Sequence, residues 1–147
     1  MRAGDVVALC GPLGSGKTQL VKGIAAGLEV PDGEPVVSPT FVLVREYVGR
    51  LRLYHIDAYR LTSSSELASL GFEEMRADPQ GAVAVEWADR VSESLPDSGW
   101  FITLAHASQR TRDVSIRVAE EPGRVALMEE LMRICGSPAR MKSAGQH

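Results

Sequence analysis

The stretch "GPLGSGKT", residues 11 to 18, constrains this chain more than any other. It fits G-x-x-x-x-G-K-[ST], the phosphate-binding P-loop. That motif works only with a buried strand before it and a helix after it. Both are readable here. "VVALC" (6 to 10) is a short apolar run of the kind a buried parallel strand shows. From Thr18 to Leu28, the residues Leu20, Val21, Ile24, Ala25 and Leu28 recur at helical spacing. Gly11, Gly14 and Gly16 let the backbone curl so that its N–H groups point inward at phosphate oxygens. The expected cradle runs from Gly11 to Gln19 and includes Leu13 and Ser15. The helix that starts near Lys17 aims its positive end at the same oxygens. Lys17 can reach the β- and γ-phosphates, and the Thr18 hydroxyl can ligate Mg²⁺.

The base is read from what is missing. Guanine-specific P-loop proteins usually carry N-K-x-D or T-K-x-D. This chain has no asparagine, and neither Lys22 nor Lys142 has an aspartate two positions on. ATP is the expected nucleotide.

The rest of the chain reads as alternating strands and helices, hence α/β. Residues 28 to 40 hold three prolines and read as a loop. Phe41 to Val48 and Leu51 to Ile56 are extended runs around Gly49-Arg50, a hairpin turn signal. Ser63 and Glu66 have the spacing of a capping box, and Gly71 is placed to end that short helix. "DPQG" (78 to 81) is a turn, and "AVAVEW" (82 to 87) a second buried strand. Trp100 to Ala105 and Asp113 to Ala119 form a later strand pair, with a helix over Val125 to Ile134. The expectation is one P-loop NTPase domain over residues 1–136: three layers about a central sheet of mixed parallel and antiparallel strands. Residues 137–147 are expected to be a flexible tail.

A P-loop enzyme needs an acid at the end of a neighbouring strand to hold the metal shell or orient water. Glu86 ends its apolar run and fits that role. Trp87 is open between packing on the nucleotide and packing in the core. Thr40, in "SPT" (38 to 40), is placed to touch Mg²⁺ or sense the γ-phosphate, or else belongs to an ordinary Ser-Pro turn. In "YHIDAYRL" (54 to 61), strand geometry puts His55 and Asp57 on one face, with Tyr54 and Ile56 on the other. Asp57 can serve Mg²⁺ or water there, or merely cap a turn.

Composition narrows the class. Among the 147 residues, 44% are hydrophobic and 24% charged, as in ordinary globular proteins. A net charge of −3 argues against gripping nucleic-acid backbone as the main task. Cys10 and Cys135 make no metal or disulfide pattern, which fits a reducing compartment. The N-terminal apolar run is too short for a signal peptide or a membrane span, so a cytoplasmic protein is expected, with no membrane partner.

The ordered series "GPLGSGKT", "SPTFVLVREY", "YHIDAYRL", "ELASLGFEE" and "VAVEWADR" resembles the bacterial TsaE (formerly YjeE) family, ATPases of tRNA threonylcarbamoyladenosine biosynthesis. The likeness runs from about Gly4 to Arg90 and weakly to about residue 119. It implies an Mg²⁺-dependent ATPase that works with TsaB- and TsaD-like partners and meets tRNA indirectly, through their complex. Transferred by motif, Lys17 and Thr18 hold phosphate and Mg²⁺, Thr40 is the switch threonine, and Asp57 is a catalytic or Mg²⁺-linked acid. Glu86 is the Walker B-like acid, and Trp87 follows it as in the family. Pro12 replaces a usual aspartate at a variable position. The family also has a helix and strand ahead of the stretch matching "GDVVAL", where this chain has only three residues. "SQRTRD" matches the family's Gly-Arg turn loosely, so no role is expected for Arg110 or Arg112. His55, Tyr59 and Arg60 are open between shaping the loop and serving a partner.

Two other functions use the same P-loop. A small-molecule kinase would need an acceptor site and an arginine-bearing lid, yet residues 62–80 offer only Arg76. A nucleotide-gated binding module would hold ATP without turnover.

Overall fold

The computed structural model describes residues 1–119 and 121–135. The tail expected over 137–147 lies outside the described residues. Six strands form one sheet: β1 (Val6–Cys10), β2 (Val44–Val48), β3 (Arg52–Asp57), β4 (Gly81–Glu86), β5 (Trp100–His106) and β6 (Arg112–Val118). Their spatial order is β2-β3-β4-β1-β5-β6. β3, β4, β1 and β5 run parallel at the centre, and an antiparallel strand closes each edge. The mixed sheet expected from the sequence is the one observed.

Side-chain alternation builds the layers. On one face of the sheet, Val7, Leu9, Leu53, Ala84 and Ile102 pack against Val21, Ala25 and Leu28 of α1 (Lys17–Gly27) and Met128 of α4 (Pro122–Cys135). On the other, Val6, Ala8, Ile56, Val83 and Val85 pack against Leu67 of α2 (Ser64–Ser69), Phe72 of α3 (Phe72–Ala77) and the 3₁₀ segment Ala88–Ser94. The continuous apolar runs of β1 and β4 reflect burial on both faces.

Three local differences from the expected elements have clear causes. Phe41, Val42 and Leu43 do not extend β2. The N–H groups of Val42 and Leu43 turn back to the Pro39 carbonyl at 3.1 and 2.7 Å, and Leu43 takes a positive φ of 65°. Gly71, at φ 83°, ends α2 as expected but also opens α3, a helix not read from the sequence. The Glu66 carboxylate accepts the N–H of Thr62 at 2.6 Å, one residue before the cap, while Ser63 Oγ accepts the Glu66 N–H at 3.4 Å. The Gly49 turn does join β2 to β3. Its glycine is required because a Cβ there would lie 2.1 Å from the Leu28 carbonyl oxygen at the end of α1.

No helix among the described residues is long and apolar enough to cross a membrane.

Candidate functional site

The C-terminal ends of β1, β4 and β3 point to one edge of the sheet, where open α/β folds place their ligands. A cleft of about 570 Å³ lies there. It gathers Leu13, Gly14, Gly16, Lys17, Thr18 and Gln19 from the loop after β1, Thr40 and Ser38 from the loop before β2, and Asp57, Tyr59, Glu86 and Trp87 from the ends of β3 and β4. Of the residues read from the sequence, Gly11 and Ser15 stand behind the cleft rather than lining it. A Cβ on Gly11 would come within 2.5 Å of the Leu104 carbonyl and 2.7 Å of Ser15 Oγ, so only glycine lets the loop leave β1. Gly14 and Gly16 both take positive φ, which curls the loop over.

The start of α1 is left uncompensated. No side chain caps it and no acid sits in its first turn, whereas α2 has Ser63 and Glu66, and α3 has Glu73 and Glu74. Its first N–H groups have no carbonyl upstream to accept them. An anion placed there would supply what the chain withholds.

Lys17 is buried, and its Nζ donates to the carbonyls of Gly11 and Pro12 at 2.7 and 3.0 Å. The same ammonium lies 3.8 Å from the centre of the Trp87 ring. Burial pushes the Lys17 amine below its usual value, and the carboxylates of Glu86, Asp89 and Asp57 partly offset that. Trp87 is half-buried; it packs against the α2–α3 face of the core, as one of its two expected roles has it, and also lines the cleft.

Glu86 and Asp57 are directly paired in the register of β3 and β4, so the two acids end adjacent strands side by side. Both are buried. Thr18 Oγ1 donates to the Glu86 carboxylate at 2.9 Å, and His55 Nε2 meets Glu86 Oε1 at 2.7 Å. Asp57 accepts the Ser38 hydroxyl at 2.9 Å and the Tyr59 N–H at 2.9 Å. Thr40 reaches Asp57 only through Ser38, to which its hydroxyl donates at 3.3 Å. Thr18, Glu86 and Asp57 thus supply neutral and anionic oxygen donors at the anion-seeking end of α1. That donor set fits Mg²⁺, which takes one or two carboxylates with phosphates and water rather than an all-protein cage. No cluster of three or more His, Cys, Asp or Glu that could hold a metal ion is found among the described residues.

Three residues at the site make contacts that the sequence does not give. Ser38 gave no signal beyond its place in a Ser-Pro turn. His55 is placed on the Asp57 face by alternation with its role open, and its contact is with Glu86 on the neighbouring strand. Arg112, expected to have no role, donates to the carbonyls of Ser15 and Gly14 at 3.2 and 3.3 Å and so braces the outer side of the P-loop. A long-range contact of that kind leaves no local pattern. Arg110 contributes a backbone N–H to Ser108 Oγ at 3.2 Å. The Tyr59 ring packs at 4.9 Å against Trp87, tilted by 55°, and Arg60 lies 5.0 Å from the exposed Phe41 ring.

Comparison with known proteins agrees with this geometry. The family model described as "Threonylcarbamoyl adenosine biosynthesis protein TsaE" matches residues 1–114. A Treponema pallidum protein named tRNA threonylcarbamoyladenosine biosynthesis protein TsaE is 39% identical over 116 residues, covering 79% of this chain and 84% of that one. A Bacillus subtilis protein of the same name is 39% identical over 133 residues, covering 90% of this chain and 80% of the relative. The crystal structure of Bacillus subtilis YdiB superposes with a TM-score of 0.70 at 34% identity, over 92% of this chain and 81% of that one. On the P-loop sheet, the ordered motifs and these matches together, the chain belongs to the TsaE family.

Proposed function

We propose that this protein is the ATP-hydrolysing subunit needed for N6-threonylcarbamoyladenosine formation on tRNA, acting in the cytoplasm with TsaB- and TsaD-like partners. The observation that carries the reading is the contact of Thr18 with Glu86 at the uncapped start of α1, beside Lys17. It joins a phosphate-seeking helix end to a buried acid, as nucleotide hydrolysis requires.

In this reading the ATP phosphates lie in the curl from Gly11 to Gln19. The loop N–H groups and the Lys17 ammonium bind the transferring phosphoryl oxygens, where negative charge gathers. Thr18, Glu86 and Asp57 would hold Mg²⁺, which when bound neutralises charge on the β- and γ-oxygens. Asp57, held by Ser38 next to Thr40, orients the water. That water attacks the γ-phosphorus, the bond to the bridging oxygen breaks, and ADP leaves with phosphate.

The kinase reading lacks its lid: Arg76 is engaged by Glu73 at 3.0 Å and is not among the residues lining the cleft. Among the described residues, no arginine lines the cleft. Such a group supplied by a partner is worth about 10³- to 10⁵-fold in rate. Phosphate release from ATP, measured with and without the TsaB- and TsaD-like proteins of the same organism, tests the proposal. Slow release alone and faster release with partners supports it. Equal release in both assays removes the partner dependence. Tight ATP binding with no turnover even in the complex would leave the nucleotide-gated binding module instead.

A further inference from the structure

His55 is fully buried in the middle layer, and the reaction above makes no use of it. In the β3–β4 register it stands opposite Ala84, one diagonal step from Glu86 on the same face. Diagonal neighbours across a ladder come within reach of a long side chain. Ala84 is small enough to leave the imidazole that path, and the Tyr47 ring, 6.4 Å away, flanks it. The result is the 2.7 Å contact between His55 Nε2 and Glu86 Oε1. A carboxylate only accepts, so Nε2 carries the hydrogen and donates.

A histidine whose only task is to fill the core would be expected to satisfy both ring nitrogens. Here Nδ1 has no partner among the described residues. Two residues earlier on the same face, Leu53 fills the core without any polar atom to satisfy. His55 therefore retains an unpaired nitrogen in the core, and the contact it gains for that is Glu86. With Oε1 held by His55, the carboxylate is fixed facing Thr18, whose hydroxyl reaches both of its oxygens.

We propose that His55 is a positioning residue: it locks the Glu86 carboxylate toward Thr18 and so sets how strongly Mg²⁺ tightens nucleotide binding. The proposal rests on the reading of Thr18 and Glu86 as the residues that hold Mg²⁺. Groups that orient a metal ligand in this way change metal affinity or activity by about 10- to 100-fold when removed.

The test is calorimetric titration of ADP, with and without Mg²⁺, into the wild type, His55→Gln and His55→Met. Glutamine can place an amide N–H where Nε2 was; methionine has nearly the same shape and no donor. The expected result is a Mg²⁺-dependent gain in affinity that His55→Gln retains and His55→Met loses by about 10- to 100-fold, with Mg²⁺-free binding unchanged in both. Retention of the gain in His55→Met, or equal loss in the two variants, overturns the proposal. If His55→Met does not fold, His55→Leu, which also lacks a donor, takes its place and is read by the same outcomes. A wild type whose affinity for ADP ignores Mg²⁺ would instead remove the metal reading of Thr18 and Glu86 itself.

Discussion

Thr18 and Glu86, 68 residues apart, meet in one hydrogen-bonded pair: the threonine hydroxyl lies 2.9 and 3.1 Å from the two carboxylate oxygens. The pair links the first turn of α1 to the end of β4. The parallel pairing of β1 with β4 holds it in place, since Leu9 stands opposite Glu86. Two stretches that look independent in the chain are therefore one site.

Glu86→Gln and Glu86→Ala should separate the chemistry of this acid from its structural part. The amide keeps most of the shape but loses the charge, so turnover should fall at least as far as the roughly 10- to 100-fold typical of groups that merely orient a metal ligand, while the fold is kept. Alanine also leaves the buried His55 donor without its acceptor. That should cost a further 1–3 kcal/mol or so of stability relative to Glu86→Gln. Phosphate release and urea unfolding of both variants check the two halves.

Ser38→Ala tests the link between the loop before β2 and the catalytic edge. The variant removes the 2.9 Å hydrogen bond to Asp57 but leaves the Tyr59 N–H in place. A hydrogen bond to a charged acceptor is worth about 1.5–3 kcal/mol, and Ser38 is only half-buried, so the lower end applies. The expected outcome is a kcat about 10-fold lower with little change in KM, because the contact steadies the acid proposed to orient water rather than the phosphates. Asp57→Ala should cost more than Ser38→Ala. Steady-state kinetics with the partners present decides it; a Ser38→Ala enzyme with normal kcat would remove the link.

How far the site could be read from the chain follows from how local each signal is. Gly11 to Thr18 is legible because loop, strand and helix are contiguous and each has its own pattern. Glu86 stands out because an acid ending an apolar run is visible without a fold, whereas Asp57 stays open on strand geometry and takes its expected role from the family motifs. That His55 and Asp57 share a face is also readable from alternation alone; which helical layer that face joins is not. What could not be read depends on partners far along the chain or on backbone reversal. Arg112 meets residues 97 and 98 positions away. The turn at Phe41 to Leu43 looks like a strand by composition, and only the return of its N–H groups to Pro39 shows otherwise. Helix α3 is a six-residue element that depends on Gly71 reversing the chain and on Phe72 reaching the core.

Asp78 gives a pH dependence with a defined sign. It closes the turn between α3 and β4, accepting the Gln80 N–H at 2.9 Å, the Tyr54 hydroxyl at 2.8 Å and Arg52 at 3.0 Å. The Gln80 N–H and the Tyr54 hydroxyl, with Arg52 alongside, hold its carboxyl below the usual aspartate value. A group depressed on folding stabilises the protein above its unfolded value, about 3.9. That contribution is lost as pH falls through the lower folded value. Asp78→Asn should therefore lower Tm at pH 7, and its deficit should shrink as pH drops below about 4. Melting curves across that range check it. A deficit that stays constant down to acid pH would show that the carboxylate charge is not what the turn uses.

Arg112→Ala tests whether the end of β6 shapes the phosphate loop. The guanidinium reaches across from the β5–β6 hairpin to the carbonyls of Ser15 and Gly14, and its other nitrogen is tied to the carbonyls of Ser108 and Thr111 at 3.1 and 2.9 Å. The fork thus ties two successive carbonyls of the loop to the hairpin. Loss of the brace should loosen the curl rather than alter the acids. Nucleotide affinity should then fall about 10-fold, the equivalent of one charge-assisted bond of roughly 1.5 kcal/mol, while kcat at saturation changes little. Arg112→Lys should not restore it, because one ammonium cannot replace a planar fork that spans two carbonyls. His106→Ala is the control: it touches the same loop only at 3.4 Å, through the Leu13 carbonyl, from an exposed position. Calorimetry on the three variants gives the answer, and an Arg112→Ala protein that binds ADP like the wild type would show that the P-loop holds its shape without the hairpin.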